Sequence, residues 1–119
     1  MKIKYLTIGY TSGMSQDELK DHLHRFYDVD KSKLENLEIL IALEKSDDYY
    51  SESAWWLVRD NKGELYETYA SHCSCYGFEG QFEPEHTCLE YLSSANFGVN
   101  LASKEELEEI FEFIRGLDE

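Results

Sequence analysis

Residues 54–70 constrain the fold more than any other stretch of the chain. Ala54-Trp55-Trp56-Leu57-Val58-Arg59 and Leu65-Tyr66-Glu67-Thr68-Tyr69-Ala70 flank the polar run Asp60-Asn61-Lys62-Gly63. Two runs rich in aromatic and β-branched residues around a glycine-ended turn predict a β-hairpin over 54–59 and 64–70. Gly63 supplies the positive φ that a type I turn with a bulge needs. A two-stranded hairpin is marginal by itself in water, so the remaining residues must extend the sheet and cover it.

Residues 2–10 are again β-branched and aromatic, which predicts a strand closed by Thr11-Ser12-Gly13. Ser15-Gln16-Asp17-Glu18 has the form of a capping box, and Leu19, Leu23, Phe26 and Tyr27 follow at helical spacing, predicting a helix over 16–28. Residues 34–45 fit either period; Ile39-Leu40-Ile41-Ala42-Leu43 is read as a strand buried on both faces, because a sheet follows it. A loop is expected over 71–86 and a short helix over about 86–95. Ser103-Lys104-Glu105-Glu106 is a second capping box, and Leu107, Ile110, Phe111, Ile114 and Leu117 form the apolar stripe of a last helix. No repeat, linker or low-complexity tract interrupts residues 1–119, so the expectation is one α+β domain, with a small antiparallel sheet of three to four strands and about three helices.

Charge narrows the functional classes. The chain carries 25 Asp and Glu against 11 Lys and Arg, a net −14. That field repels polyanions, so direct nucleic-acid binding and anionic membrane surfaces are disfavoured. The longest apolar runs are Ile39–Leu43 and Ala54–Val58, far short of a membrane span, and Met1-Lys2-Ile3-Lys4-Tyr5 lacks the apolar stretch of a signal peptide. Three cysteines are too few for a disulfide scaffold, which fits a reduced, cytoplasmic setting. Most of the negative charge belongs to the second half: residues 61–119 hold 13 acidic and 3 basic side chains, against 12 and 8 in residues 1–60.

Ser71-His72-Cys73-Ser74-Cys75-Tyr76-Gly77 leaves three readings open. Cys73, Cys75, His86 and Cys88 offer thiolate and imidazole ligands to zinc, although a one-residue gap between paired cysteines makes a strained chelate. A thiol enzyme would use Cys73 or Cys75 as nucleophile, His72 or His86 as base and Glu83 or Glu85 to orient it. In the third reading no cofactor is needed: Cys73, Cys75 and Cys88 are small buried apolar groups, and Tyr76, Phe78 and Phe82 pack the loop onto the sheet. His22 and His24 do not converge on a helix and are read as surface or boundary residues.

The same loop, followed by Gly80-Gln81-Phe82-Glu83-Pro84-Glu85 and preceded by Gly63-Glu64-Leu65-Tyr66-Glu67, resembles a motif of small proteins encoded by phages and prophages. The resemblance spans roughly residues 54–92; Phe82 stands where that motif usually has Trp. It implies a viral or mobile-element origin and no particular chemistry.

The last helix carries Glu105, Glu106, Glu108, Glu109 and Glu112, and Glu79, Glu83, Glu85 and Glu90 form a second acidic set. Like charges at i, i+4, such as Glu105 with Glu109, each cost a helix a few tenths of a kcal/mol, roughly 0.2–0.5. A solvated face explains such a run; so does a surface that mimics nucleic acid and occupies the basic groove of a nucleic-acid-binding host or defence protein. The expected function is accordingly a non-enzymatic, phage-type inhibitor acting in the host cytoplasm through Glu105, Glu106, Glu108, Glu109 and Glu112, with a zinc module or thiol enzyme as the alternative.

Overall fold

A computed structural model of the chain describes residues 4–46, 51–72, 77–94, 97–99 and 101–117. Its order is β1 (Leu6–Gly9), α1 (Gln16–Phe26), α2 (Lys31–Leu34), β2 (Glu38–Ser46), β3 (Glu52–Arg59), β4 (Leu65–His72), β5 (Glu85–Thr87), α3 (Leu89–Leu92) and α4 (Lys104–Leu117). The strands form one sheet in chain order, β1-β2-β3-β4-β5. No helix among the described residues is long and apolar enough to cross a membrane.

The hairpin forms as the sequence predicts. Arg59 pairs with Leu65 at the turn and Glu52 with His72 at the far end. The Gly63 amide donates to the Asp60 carbonyl, Gly63 sits at φ 88°, and the Asp60 carboxylate accepts the amides of Lys62 and Glu64. Burial alone would push the Asp60 carboxyl up, but these two donors and Tyr66 hold it below the usual carboxylate value.

The sheet differs from expectation in size and direction. It has five strands and is mixed, because β1 runs parallel to β2. Two helices lie between those strands, and a crossover of that length returns the chain in the same direction, whereas a tight turn would reverse it. Four helices are present among the described residues rather than three; α2 is a single turn that no periodicity signals. The expected helix over 86–95 is split: Glu85–Thr87 pair with β4 as an edge strand, and only Leu89–Leu92 are helical.

Both faces of the sheet are covered. Leu19 and Leu23 from α1, Tyr27 at its C-cap and Leu34 from α2 pack with Ile39, Ala42, Trp56 and Val58 on one face. Leu92, Ile110 and Ile114 from α3 and α4 pack with Leu43, Trp55 and Leu57 on the other. Strands buried on both sides read as unbroken apolar runs, which accounts for Ile39–Leu43 and Ala54–Val58. Trp55 and Trp56 therefore anchor opposite layers, and both are fully buried. A bulge between Ile39 and Ile41 lets Leu40 and Ile41 face the same layer. There the Gln16 side chain clamps Ile39, donating to its carbonyl at 2.6 Å and accepting its amide at 3.0 Å.

Both capping boxes form. Ser15 and Glu18 exchange side-chain and backbone bonds at the start of α1, and Ser103 and Glu106 do so at the start of α4. The stripe of α1 is narrower than expected, since Phe26 is exposed. The helix ends two residues earlier than the 16–28 reading, with Asp28 in the left-handed region at φ 58°.

Candidate functional site

Helix α4 packs through Ile110 and Ile114, with Leu107 and Phe111 half-buried beside them. This orientation sends Glu105, Glu108, Glu109 and Glu112 to solvent, and among the described residues none of the four forms an ion pair. Glu106 is placed differently. Its carboxylate accepts the Ser103 amide at 2.8 Å and Lys45 Nζ at 2.7 Å, which ties the helix start to β2. Partial burial raises its pKa, but Lys45 and Ser103 outweigh that and hold it low. Glu106 thus serves the fold, and four carboxylates remain presented.

The two helical layers differ in charge. Residues 16–34 carry five acidic and four basic side chains, whereas α3 and α4 carry six acidic and only Lys104 and Arg115. Glu90 on α3 is exposed in the same layer as the α4 carboxylates.

A cleft of about 690 Å³ opens at the β5 edge of the sheet. Its origin is the only proline in the chain. Glu85 pairs with Glu67, so continued pairing would set Pro84 opposite Thr68, and proline has no amide to donate to a ladder. The next residues turn away from β4 and reach back only at points: the Glu83 amide donates to Thr68 Oγ1, and Gln81 Oε1 accepts the Ser71 amide. The resulting space is lined by Glu67, Glu83 and Glu85, by Tyr69 and Tyr91, and by His86, Thr87 and Cys88, with no Lys or Arg. Tyr69 and Tyr91 are each about half exposed, at 51% and 46%. Burial, followed by the Glu67 charge, pushes the Tyr69 hydroxyl up to about 12. Thr87 is buried, and its hydroxyl has no hydrogen-bond partner among the described residues.

Two of the proposed zinc ligands can be placed. His86 Nε2 lies 2.6 Å from a Glu64 carboxylate oxygen, and Cys88 is exposed at the N-cap of α3, not buried as the packing reading expected. Cys73 and Cys75, and with them the thiol of the enzyme reading, lie outside the described residues. Among the described residues, no group of three or more His, Cys, Asp or Glu is gathered as a metal centre. Phe78 and Phe82 do pack onto the α1 layer as expected, and His72 meets Phe78 edge to face.

Sequence reasoning missed a polar group in the interior. Glu44 on β2 is only 3% exposed, and its carboxylate accepts the Tyr27 hydroxyl at 2.7 Å and faces His22 Nε2 at 2.9 Å. The Trp56 indole N–H donates to the Tyr27 hydroxyl, so the chain of bonds runs from β3 through the C-cap of α1 to β2. Burial, then the Glu44 charge, raises the Tyr27 hydroxyl far above its ordinary 10.0. His22 is thus a boundary residue, as the sequence reading allowed, but one whose ring reaches inward to the buried Glu44, and its place on the apolar side of α1 beside Leu19 and Leu23 was the available signal. The pair borders a smaller cleft shared with Glu52, His72 and Glu79.

No family model matches the chain, and neither the curated proteins nor the solved structures contain a significant match.

Proposed function

We propose that the protein is a non-enzymatic interaction protein whose α3–α4 layer engages a basic partner, in the manner of a phage-type inhibitor that occupies a groove meant for nucleic acid. The observation that carries this reading is the division of α4. Its apolar side is spent on the core and Glu106 on the fold, yet Glu105, Glu108, Glu109 and Glu112 stand together in solvent, outnumber Lys104 and Arg115 on the same helix, and form no ion pair among the described residues. Uncompensated like charges on one helix cost stability. A field of this kind steers a cationic partner and raises its association rate. The resemblance of residues 54–92 to phage and prophage proteins points toward a bacterial nucleic-acid-binding or defence protein as that partner.

The test is capture from a bacterial lysate with wild-type protein and with a variant carrying Glu105→Lys, Glu108→Lys, Glu109→Lys and Glu112→Lys, followed by mass spectrometry. Wild-type protein retains a basic nucleic-acid-binding protein at low salt; added duplex DNA displaces it, and the variant binds about 100-fold more weakly. Equal retention by both proteins overturns the reading.

A further inference from the structure

The β5-edge cleft has a chemistry distinct from the rest of the acidic layer. Three carboxylates, those of Glu67, Glu83 and Glu85, border it together with two half-exposed tyrosines, and no Lys or Arg among the described residues lines it. One oxygen of Glu67 is already bonded to the Trp55 indole N–H at 3.1 Å, which fixes the carboxylate in place. Tyr69 is likewise held, its hydroxyl donating to the Gly98 carbonyl and its ring packed at a tilt on Trp55. Tyr91 is braced edge to face on Phe97. Beside them the buried Thr87 hydroxyl has no hydrogen-bond partner among the described residues, a condition that folded proteins seldom leave in place.

We propose that this cleft is a receptor for an arginine side chain of a basic protein. The proposal rests on the preceding reading that the partner is basic, and it assigns the anchoring contact to the sheet edge, with α4 supplying long-range steering. A guanidinium is planar: it stacks on aromatic faces and forks its N–H groups to carboxylates. An ammonium matches the charge but not the planar shape, so arginine is preferred to lysine. The cleft has the volume of an ordinary ligand site, enough for the side chain and its flanking backbone. Its tyrosines and Glu67 are held by contacts of their own, so little ordering remains to be done on binding.

The experiment is an amide NMR titration of the full chain with the peptide Gly-Ser-Gly-Arg-Gly-Ser-Gly, and with the same peptide carrying lysine or citrulline at the centre. The arginine peptide gives saturable shifts at Tyr69, Thr87 and Tyr91, the lysine peptide binds several-fold more weakly, and the uncharged citrulline peptide gives none. Joint Glu83→Gln and Glu85→Gln substitution weakens the arginine peptide about tenfold, whereas joint Asp17→Asn and Glu35→Gln substitution, at exposed positions on the opposite layer, leaves its affinity within about twofold. Absence of saturable shifts, shifts centred on α4, or equal response to arginine and lysine overturns the proposal. The two readings fail separately. An arginine peptide that titrates the cleft while the α4 Lys variant still captures its partners removes the acidic-helix reading only; an inert cleft beside a disabled α4 variant removes the arginine receptor only.

Discussion

Tyr27 shows how much a single hydroxyl does inside this protein. It donates to Glu44 and accepts from Trp56, so Tyr27→Phe deprives two buried groups of a partner at once. The expected loss is about 1–3 kcal/mol, seen in urea denaturation as a lower midpoint with an unchanged slope. The hydroxyl also sets an alkaline limit. Its pKa is raised in the fold, so its contribution is complete below 10.0 and is lost as the pH climbs beyond that value, because the unfolded chain releases its proton first. Urea midpoints on either side of pH 10.0 should fall more steeply for wild type than for Tyr27→Phe; parallel behaviour sinks the assignment. Little of this network was legible in the sequence. Glu44 ends an apolar run as any strand-terminal carboxylate might, and only the packing of α1 over β2 makes it an interior group.

Among the elements, those governed by neighbours in sequence were the legible ones. The boxes at Ser15 and Ser103 and the turn of the hairpin, where Asp60 bonds the amides of Lys62, Gly63 and Glu64, depend on residues two to four apart, and all three are present. The parallel pairing of β1 with β2 was not legible, since it joins segments separated by two helices and no local pattern encodes strand direction. Neither was β5, whose three residues are too few to show a period. The β1–β2 junction yields a test of its own. Gly9 has φ 79°, and a Cβ there would collide with the Glu44 carbonyl, whereas Gly13, at φ 84°, faces open space. Gly13→Ala should cost about 1–2 kcal/mol from backbone strain alone. Gly9→Ala should cost clearly more, because the collision adds to the same strain, and equal thermal shifts for the two variants would contradict this account of the junction.

At the scale of the molecule, a net −14 was evident from composition, but its division between layers was not. Self-repulsion opposes folding and is screened within roughly 8–10 Å at moderate salt. Raising ionic strength from low to physiological should therefore raise the melting temperature of the free protein while weakening the proposed capture of a basic partner. Two responses of opposite sign over one salt range separate a binding field from general salting effects; a melting temperature that falls with salt would count against the repulsion. The candidate site was only half legible for a related reason. Sequence identified the glutamates of α4, but it did not show that Glu106 is committed to Lys45 and Ser103, or that Pro84 opens a cleft behind Glu83 and Glu85.

That proline bears on how copies of the chain meet one another. An open sheet edge invites a second molecule to add its own strand, and short, charged edges discourage this. Here the outer strand is only Glu85-His86-Thr87, and the loop leading into it displays Glu83. Two molecules approaching edge to edge would bring like charges together across only three residues of backbone. The break that shapes the cleft therefore also discourages growth into fibres along this edge, because a second copy finds little free backbone there and meets charge of its own sign.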